Sequence, residues 1–470
     1  MSTKSYDLVV IGAGPAGISG AVTAAVFGRS VALIERDPAI GGAGINTGTI
    51  PSKTLRETAL TLSGIRARKL QVEMVLRQET TIADLMRHER SVTDSARNLQ
   101  LHRLRHFDVD ILYGAASFVD PNTVRVNLRG GSDLYLRASK ILIASGSSPY
   151  RPPEFPFDDP RIHDSNEILD LGRIPKSLVV VGAGVIGCEY ACTFAALGTR
   201  VWLLDAREEL LSFLDRDIAH TLEAAMERAG VEFVWKEKVE KCTTPPGDEV
   251  ILTLTSARTI CTEGVLVAAG RSSNTDSLNL PAAGITPGKR GVITVDANYR
   301  TEVPHISAAG DVIGFPALAS TSLEQARVAV CHAFELGFKN ELPHLLPTGI
   351  YTIPEVSMVG ETEQSLTEIG VEYLVGRATY LDNPRGKIIG DDTGMLKLIF
   401  RADDMKLLGV HAIGEQATEL IHIGLVAMLT GSGADLFNQA CFNYPTLGDL
   451  YKYATYDAML RKEMMRGGRD

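Results

Sequence analysis

Residues 6–17 read YDLVVIGAGPAG, a short β-branched apolar run that ends in a glycine-rich turn. The apolar run is typical of a strand that is buried on both faces of a parallel sheet. The alanine-rich segment over residues 18–27 predicts a helix, and residues 30–34 predict a second strand that ends at Glu35. The stretch therefore predicts a βαβ unit of the kind that binds a dinucleotide.

The same pattern occurs a second time, 170 residues further along the chain. Residues 177–187 read SLVVVGAGVIG, and a helix and a strand that ends at Asp205 follow. In each copy the first glycine permits a tight turn, the second lets the backbone approach a pyrophosphate, and the third lets the helix pack on the strand. The helix N-terminus attracts the anion, and the final acid accepts hydrogen bonds from a ribose. Two copies in the required context predict two bound dinucleotides.

The composition excludes several classes of protein. The chain has 470 residues, of which 45% are hydrophobic and 22% charged, and this favours about three domains of an ordinary soluble protein. A net charge of −10 without a basic stripe argues against a nucleic-acid partner. The six cysteines form no CxxC or Cys–His cluster, which is typical of a reduced, cytoplasmic chain without a metal site. The uncharged run over residues 8–28 contains the first glycine turn, so we do not expect it to span a membrane.

Several further motifs carry a resemblance to a known family. Gly41 and Gly42 precede the segment IPSK at residues 50–53, AGD occupies residues 309–311, and PEV begins at Pro354. Together with the two glycine turns, these motifs make the chain similar over essentially its whole length to the flavoprotein disulfide reductases, which include glutathione reductase and dihydrolipoamide dehydrogenase. The resemblance implies an α/β fold with two Rossmann-like dinucleotide-binding domains and a C-terminal α+β dimerisation domain.

The resemblance also implies how the domains are arranged. We expect an FAD-binding domain over residues 1–155, with a helical segment at about 55–104, and its second part over residues 281–344. Residues 156–280 are expected to bind NAD(P), and residues 345–470 to form the dimerisation domain. The implied assembly is an obligate homodimer, because in this family the C-terminal domain of one subunit completes the flavin site of the other.

The expected ligand-binding residues follow from these motifs. For FAD they are Gly12, Gly14, Ala16, Gly17, Glu35, Arg36, Gly42, Thr49, Lys53, Ala116, Ser145, Gly146, Gly310, Asp311 and Ala319. For NAD(H) and NADP(H), which are the expected substrates, they are Gly182, Gly184, Val185, Ile186, Gly187, Glu189, Asp205, Arg207 and Gly270. Asp311 is expected to accept a hydrogen bond from the ribityl chain of FAD, although an aspartate of a simple turn is the alternative.

The chain departs from the family at its redox centre. The redox cysteine pair of the disulfide reductases would fall at Gly44 and Thr49, and their acid–base histidine and its glutamate at Tyr444 and Asp449. Neither glycine nor threonine forms a disulfide, so thiol–disulfide exchange is chemically absent. A chain that keeps both nucleotide motifs without this machinery is expected to act on the nucleotides alone.

Within the family, the chain is most similar to the soluble, Si-specific pyridine nucleotide transhydrogenases. The similarity lies in residues 48–53 (GTIPSK), 419–424 (ELIHIG) and 442–446 (FNYPT). It implies a ping-pong reaction in which NADPH passes a hydride to FAD and NAD⁺ then removes it from the same pocket. Two alternatives stay open: an NAD(P)H:quinone or dye reductase, and a non-catalytic FAD- or NAD-binding sensor or complex subunit.

The candidate catalytic residues are Lys53, Glu189, Tyr444 and Thr49. The resemblance implies that Lys53 and Glu189 form an ion pair near the reactive face of the flavin. The alternatives are a surface lysine after a turn and a helix acid that is favoured by the helix dipole. Tyr444 could form a hydrogen bond near the partner subunit's flavin. Equally, the segment that contains it could be a helix entry, with a capping box formed by Thr446 and the acid three residues later.

The end of the second βαβ unit bears on which nucleotide binds. Asp205 suits a free ribose, whereas Arg207 could pair with a 2′-phosphate, so both nucleotides are expected to bind. The alternative is that Arg207 is a solvated loop residue paired with Glu208 or Glu209. On the later segment, His422 is expected to be packed in its helix.

Overall fold

The computed structural model describes residues 3–63 and 82–467. Its strands are, in chain order, β1 (Thr3–Ile11), β2 (Val31–Glu35), β3 (Asp110–Asp120), β4 (Thr123–Leu128), β5 (Asp133–Ile143), β6 (Ser147–Pro149), β7 (Ile162–Asp164), β8 (Ser177–Val181), β9 (Arg200–Asp205), β10 (Val231–Trp235), β11 (Val239–Thr243), β12 (Val250–Leu254), β13 (Thr259–Thr262), β14 (Gly264–Val267), β15 (Arg271–Ser273), β16 (Ile306–Ala308), β17 (Thr348–Ile350), β18 (Val356–Gly360), β19 (Tyr373–Thr379), β20 (Met395–Arg401) and β21 (Leu407–Ile413). Its α-helices are α1 (Pro15–Val26), α2 (Gly42–Asn46), α3 (Thr49–Leu62), α4 (Ile82–His106), α5 (Val185–Ala196), α6 (Arg216–Arg228), α7 (Ala319–Ala333), α8 (Glu363–Glu368), α9 (Pro384–Ile389), α10 (Ala417–Leu429), α11 (Ala434–Gln439) and α12 (Leu450–Gly467).

The first glycine turn lies at the carboxyl edge of a largely parallel sheet. Strand β1 runs between β2 and β5, and β3 and β16 extend the parallel part on either side. Val9 and Val10 are fully buried, as expected for a strand that is covered on both faces. The long strands β3 and β5 continue past this part and pair with β4 in antiparallel fashion.

The second glycine turn lies at the edge of a separate parallel sheet. This sheet has the order β10–β9–β8–β14–β7, and β11, β12 and β13 form a small antiparallel sheet next to it in sequence. Strand β6 follows the first sheet and β15 follows the second, and the two pair as an antiparallel ribbon. The two nucleotide units are therefore joined by backbone hydrogen bonds as well as by the chain.

The C-terminal part is built around an antiparallel sheet of the order β17–β18–β21–β20–β19. Helices α10 and α12 pack together on it. The buried Tyr451 hydroxyl of α12 donates to the Leu420 carbonyl of α10 at 2.9 Å and accepts from the Gly424 amide at 3.0 Å. The predicted fold class, two parallel nucleotide-binding sheets and a C-terminal α+β unit, is confirmed.

The predicted domain boundaries can be placed among these elements. The ends at residues 155, 280 and 344 fall between the sheets and stay predictions. The helical segment expected at about 55–104 corresponds to parts of α3 and α4, and residues 64–81 lie outside the described residues. Within residues 3–63 and 82–467, no helix is both long and apolar enough to cross a membrane.

A buried group of charges holds the second nucleotide unit against the C-terminal sheet. Lys397 on β20 is 1% exposed, and its Nζ lies 2.6 Å from Asp215 Oδ1 and 2.8 Å from Asp217 Oδ2. It also contacts the Glu363 carboxylate at the start of α8. Asp215 is fully buried and caps α6 by accepting the Asp217 amide. Burial alone lowers the pKa of Lys397, but its hydrogen bonds to the three carboxylates raise it above the ordinary value, so the ammonium stays charged.

We expect Lys397→Met to lower the free energy of unfolding by about 3–5 kcal/mol, because it leaves buried Asp215 without a counter-ion. Urea unfolding followed by far-UV circular dichroism measures this loss. Lys236→Met is the matched control, because Lys236 pairs with Glu208 at 2.6 Å on the open surface and its replacement should change the free energy by under about 1 kcal/mol. Equal losses in the two variants would contradict a special role for the buried cluster.

Candidate functional site

The carboxyl edge of the first sheet opens on a cleft of about 670 Å³, which we call the main cleft. Of the residues expected at the FAD site, those that line it are Gly12, Gly14, Ala16, Glu35, Arg36, Gly42, Thr49, Lys53, Ala116, Ser145, Gly146, Gly310, Asp311 and Ala319. Gly17 is not part of the lining. It sits where α1 crosses β1, and a Cβ there would come within 1.8 Å of the Gly12 carbonyl oxygen.

The first glycine turn leaves room for a ligand at its second glycine. Gly12 has φ +103°, and a Cβ on it would lie 2.4 Å from the Ala144 carbonyl oxygen. A Cβ on Gly42, which has φ +53°, would lie 2.8 Å from the Gly14 Cα. At Gly14 itself, by contrast, the nearest atom to an added Cβ would be 3.8 Å away. The turn is therefore tight toward the protein and open toward the cleft.

Polar groups in the main cleft are placed to receive a nucleotide. The Ser145 hydroxyl is buried and has no hydrogen-bond partner among residues 3–63 and 82–467. Glu35 is 6% exposed and accepts the Ala13 amide at 2.9 Å and the Asp37 amide at 2.8 Å, and burial raises its pKa. The Ser145 hydroxyl can donate to a phosphate oxygen, and the remaining lone pairs of Glu35 can accept from ribose hydroxyls. The residues present therefore fit a dinucleotide such as FAD.

Lys53 and Glu189 come together across the main cleft. Lys53 Nζ lies 2.6 Å from Glu189 Oε2, and the two side chains are 25% and 8% exposed. The other carboxylate oxygen of Glu189 accepts the Tyr351 amide at 2.9 Å, and Lys53 Nζ lies 5.1 Å from the centre of the Tyr351 ring. Lys53 lies on α3, Glu189 on α5 and Tyr351 directly after β17, so the three-residue arrangement forms only when all three parts of the chain are assembled.

Several residues of the main cleft were not anticipated from the sequence. Ser147 donates to Asp311 Oδ2 at 2.8 Å, and Arg271 Nε donates to Ser147 Oγ at 2.7 Å. Asn274 holds the Ser145 carbonyl at 2.9 Å. The position of Arg271 directly after the strand-and-glycine segment that ends at Gly270 was a usable signal. By contrast, no sequence signal indicated that strands β6 and β15 pair, and this pairing brings these side chains together.

The second glycine turn repeats the first. A Cβ on Gly182 would lie 2.5 Å from the Ala268 carbonyl oxygen, and one on Gly187 would lie 1.9 Å from the Gly182 carbonyl oxygen. At Gly184, no atom of the described residues lies within 4 Å of an added Cβ. Of the residues expected to bind NAD(P), those that also line the main cleft are Val185, Ile186 and Glu189. Gly182, Gly184, Gly187, Asp205, Arg207 and Gly270 are not part of its lining.

Arg207 does not pair with Glu208 or Glu209, which was the alternative considered from the sequence. Its Nε donates to Asp205 Oδ1 at 2.9 Å and its Nη2 to Asp205 Oδ2 at 2.8 Å. Glu208 pairs instead with Lys236. Burial raises the pKa of Asp205, but the Arg207 guanidinium and two backbone amides outweigh it and leave the pKa below its ordinary value.

The structure decides part of what the sequence left open in the C-terminal part. The segment that contains Tyr444 does lead into a helix, because a 3₁₀ turn over Leu447–Asp449 precedes α12, but Thr446 forms no capping box, since its hydroxyl donates to the Asn443 carbonyl at 2.7 Å. The expectation for His422 is wrong, because this residue is exposed at the edge of the main cleft rather than packed in its helix. Tyr444 is 73% exposed and is not part of the lining of the main cleft in its own subunit.

Comparison with known proteins gives the family. Residues 6–333 match the model of the pyridine nucleotide-disulphide oxidoreductases, and residues 346–455 match the dimerisation domain of the same family. The chain belongs to this family.

The similar proteins include named transhydrogenases and a named disulfide reductase. A soluble pyridine nucleotide transhydrogenase of Mycobacterium bovis is 44% identical over 459 residues and covers 97% of both chains. One of Colwellia psychrerythraea is 39% identical and covers 97% of this chain and 98% of its own. The solved structure of the HOCl-induced flavoprotein disulfide reductase RclA from Escherichia coli superposes with a TM-score of 0.85 at 29% identity, over 95% of this chain and 99% of that one.

Proposed function

We propose that this chain is a flavin-dependent pyridine nucleotide transhydrogenase, which passes reducing equivalents between NADPH and NAD⁺. The observation that carries the proposal is the pairing of two complete glycine turns with a cleft whose Gly44 and Thr49 hold no thiol. Such a site retains its nucleotide ligands but has no group for dithiol exchange. The similarity to curated transhydrogenases at 39–44% identity supports the same reading. The Si stereospecificity implied by the sequence resemblance stays a prediction.

The first glycine turn is the proposed site of FAD. The helix N-terminus at Gly14 would face the pyrophosphate, and Glu35 would accept from the ribose. Asp311, whose carboxylate is fixed by Ser147, is the proposed acceptor for the ribityl hydroxyls. When bound, FAD supplies the hydride-accepting and hydride-donating chemistry.

Lys53 is the proposed source of positive charge at the reacting centre. Its ammonium is directed by Glu189, which in turn is held by the Tyr351 amide. A fixed cation in a partly dry cleft stabilises negative charge more than a mobile one in water does. Thr49 lines the same cleft one helical turn before Lys53 and is kept as a candidate contact.

The C-terminal unit is the proposed homodimer interface. Helices α10 and α12 expose large apolar side chains, which include Val426, Leu429, Tyr453, Leu460 and Met464. Exposed apolar surface of this extent favours a protein partner, and the match to a dimerisation domain supports a second copy of the chain. Tyr444 is exposed in the single subunit, which suits a role in completing the partner subunit's flavin site. A cytoplasmic location stays a prediction from the cysteine content.

The two turns can be assigned by substituting their second glycines. Gly14 and Gly184 both have φ −79°, which alanine tolerates, and an added methyl meets no protein atom closer than 3.8 Å. We expect Gly14→Ala to weaken FAD binding by about tenfold or more, since the methyl would stand where the pyrophosphate approaches. Gly184→Ala should still bind FAD but should bind both NAD⁺ and NADP⁺ more weakly. Flavin absorbance per chain and nucleotide titration measure the two effects, and the opposite assignment of losses would refute the proposal.

The activity itself is tested anaerobically with NADPH and thio-NAD⁺. We expect rapid thio-NAD⁺ reduction with parallel double-reciprocal lines, because both nucleotides use one site in turn. A quinone acceptor is run beside it on the same FAD-replete preparation. Rapid quinone reduction with negligible thio-NAD⁺ reduction would show a quinone or dye reductase instead, and a flavin that NADPH does not bleach would show a sensor.

Lys53→Met is expected to lower the transhydrogenation rate by about 100-fold while FAD stays bound, since the variant loses a fixed charge at the centre. Steady-state rates measured with the FAD-to-chain ratio check this. Lys236→Met removes a lysine from an exposed ion pair and serves as the control, with an unchanged rate. An unchanged rate in Lys53→Met would rule out the proposed role.

A further inference from the structure

The acids that end the two βαβ units are held differently. Glu35 in the first unit is fixed by the backbone amides of Ala13 and Asp37, one on each carboxylate oxygen. The arginine beside it, Arg36, lies 3.8 Å from Asp37 and is 57% exposed. The first acid is thus oriented by backbone and keeps lone pairs for a ribose.

In the second unit the acid is fully occupied by its own loop. Asp205 Oδ2 accepts the Ala183 amide at 2.7 Å and Arg207 Nη2 at 2.8 Å. Asp205 Oδ1 accepts the Arg207 amide at 2.9 Å and Arg207 Nε at 2.9 Å. A carboxylate offers about four lone-pair positions, so all of them are taken. Ribose hydroxyls can bind Asp205 only after the guanidinium has left.

The Arg207 side chain is free to make this move. Its backbone is anchored by the hydrogen bond from its amide to Asp205 Oδ1, whereas its side chain is 52% exposed and that of Asp205 is 10% exposed. The next acid along the loop, Glu208, is paired with Lys236 at 2.6 Å. The guanidinium can therefore rotate into solvent, or onto a bound anion, without disturbing the loop that carries it.

We propose that Arg207 selects between the two nucleotides by exchanging partners. It pairs with Asp205 in the free enzyme, moves to the 2′-phosphate when NADP(H) binds, and gives up Asp205 to the ribose hydroxyls when NAD(H) binds. This inference rests on the proposed function, in which both nucleotides use the second glycine turn. Each nucleotide replaces an existing ion pair, so neither gains the full strength of its new contact.

The exchange has a signature that other roles of Arg207 lack. Because one guanidinium both binds the phosphate and covers the acid, its removal acts on the two nucleotides in opposite directions. If Arg207 only bound phosphate, its removal would change the affinity only for ligands with a 2′-phosphate. An arginine that only stabilises the loop would weaken both kinds of ligand when lost.

Calorimetric titration of the FAD-loaded enzyme with 2′,5′-ADP and 5′-AMP tests the proposal. These probes present the adenosine ribose with and without the 2′-phosphate, and their binding needs no hydride transfer. We expect Arg207→Gln to weaken the binding of 2′,5′-ADP by about tenfold or more. The same variant should bind 5′-AMP about two- to tenfold more tightly. Asp205→Asn should have the opposite selectivity, because it should bind 5′-AMP more weakly and keep its affinity for 2′,5′-ADP.

The control variant is Lys236→Gln, which removes a nearby exposed cation and should leave both affinities within about twofold. Unchanged or weaker 5′-AMP binding in Arg207→Gln would overturn the exchange, as would retained 2′,5′-ADP binding or an equal effect of Lys236→Gln. If Arg207→Gln does not fold, Arg207→Lys keeps the charge but loses the planar fork and should change both affinities in the same directions by less. Since no turnover is involved, a failure here is separate from a failure of the transhydrogenase assay.

Discussion

Both nucleotide units depend on one close contact between backbones. A side chain on Gly17 would come within 1.8 Å of the Gly12 carbonyl oxygen, and one on Gly187 within 1.9 Å of the Gly182 carbonyl oxygen. Only glycine allows the helix to lie so near the strand it follows. That approach brings the helix N-terminus and its free amides to the carboxyl edge of the sheet, where a phosphate group is favoured. It also places the acid of the next strand within hydrogen-bond distance of the turn.

The proposed reacting centre depends on the docking of three parts of the chain. Lys53 comes from the first nucleotide unit, Glu189 from the second, and the Tyr351 amide from the start of the C-terminal part. A change in the position of either neighbour would leave one oxygen of the Glu189 carboxylate, whose side chain is 8% exposed, without its partner. The buried Lys397 cluster holds the second unit to the C-terminal sheet at another point. Together these ion pairs make the geometry of the cleft a property of the whole assembled chain rather than of one domain.

The sequence was sufficient for features that depend on neighbouring residues, and less so for contacts between distant ones. The two βαβ units could be predicted because turn, helix, strand and acid follow one another at fixed spacing. The pair formed by Lys53 and Glu189, which are 136 residues apart, was expected only through family resemblance. Closeness in sequence was not sufficient to predict the ion-pair partner of Arg207, because several acids lie near it in the chain and only the loop geometry selects Asp205. The segment around Thr446 had two open interpretations, and the structure has the helix entry without the capping box, because the Thr446 hydroxyl donates to the Asn443 carbonyl instead.

A cleft without a thiol at Gly44 and Thr49 changes what the second nucleotide site must do. In a disulfide reductase one nucleotide delivers electrons and a different molecule removes them, so strong preference for one nucleotide carries no penalty. When both substrates are nucleotides that differ by a 2′-phosphate, each must enter and leave the same pocket, and tight binding of either would block the other. An acid whose lone pairs are already occupied by Arg207 and the Ala183 amide would meet this demand, because in the proposed exchange each nucleotide contact at Asp205 replaces an existing one. The first unit, where the proposed FAD would stay bound through each cycle, has no such need, and there the acid is held by backbone amides.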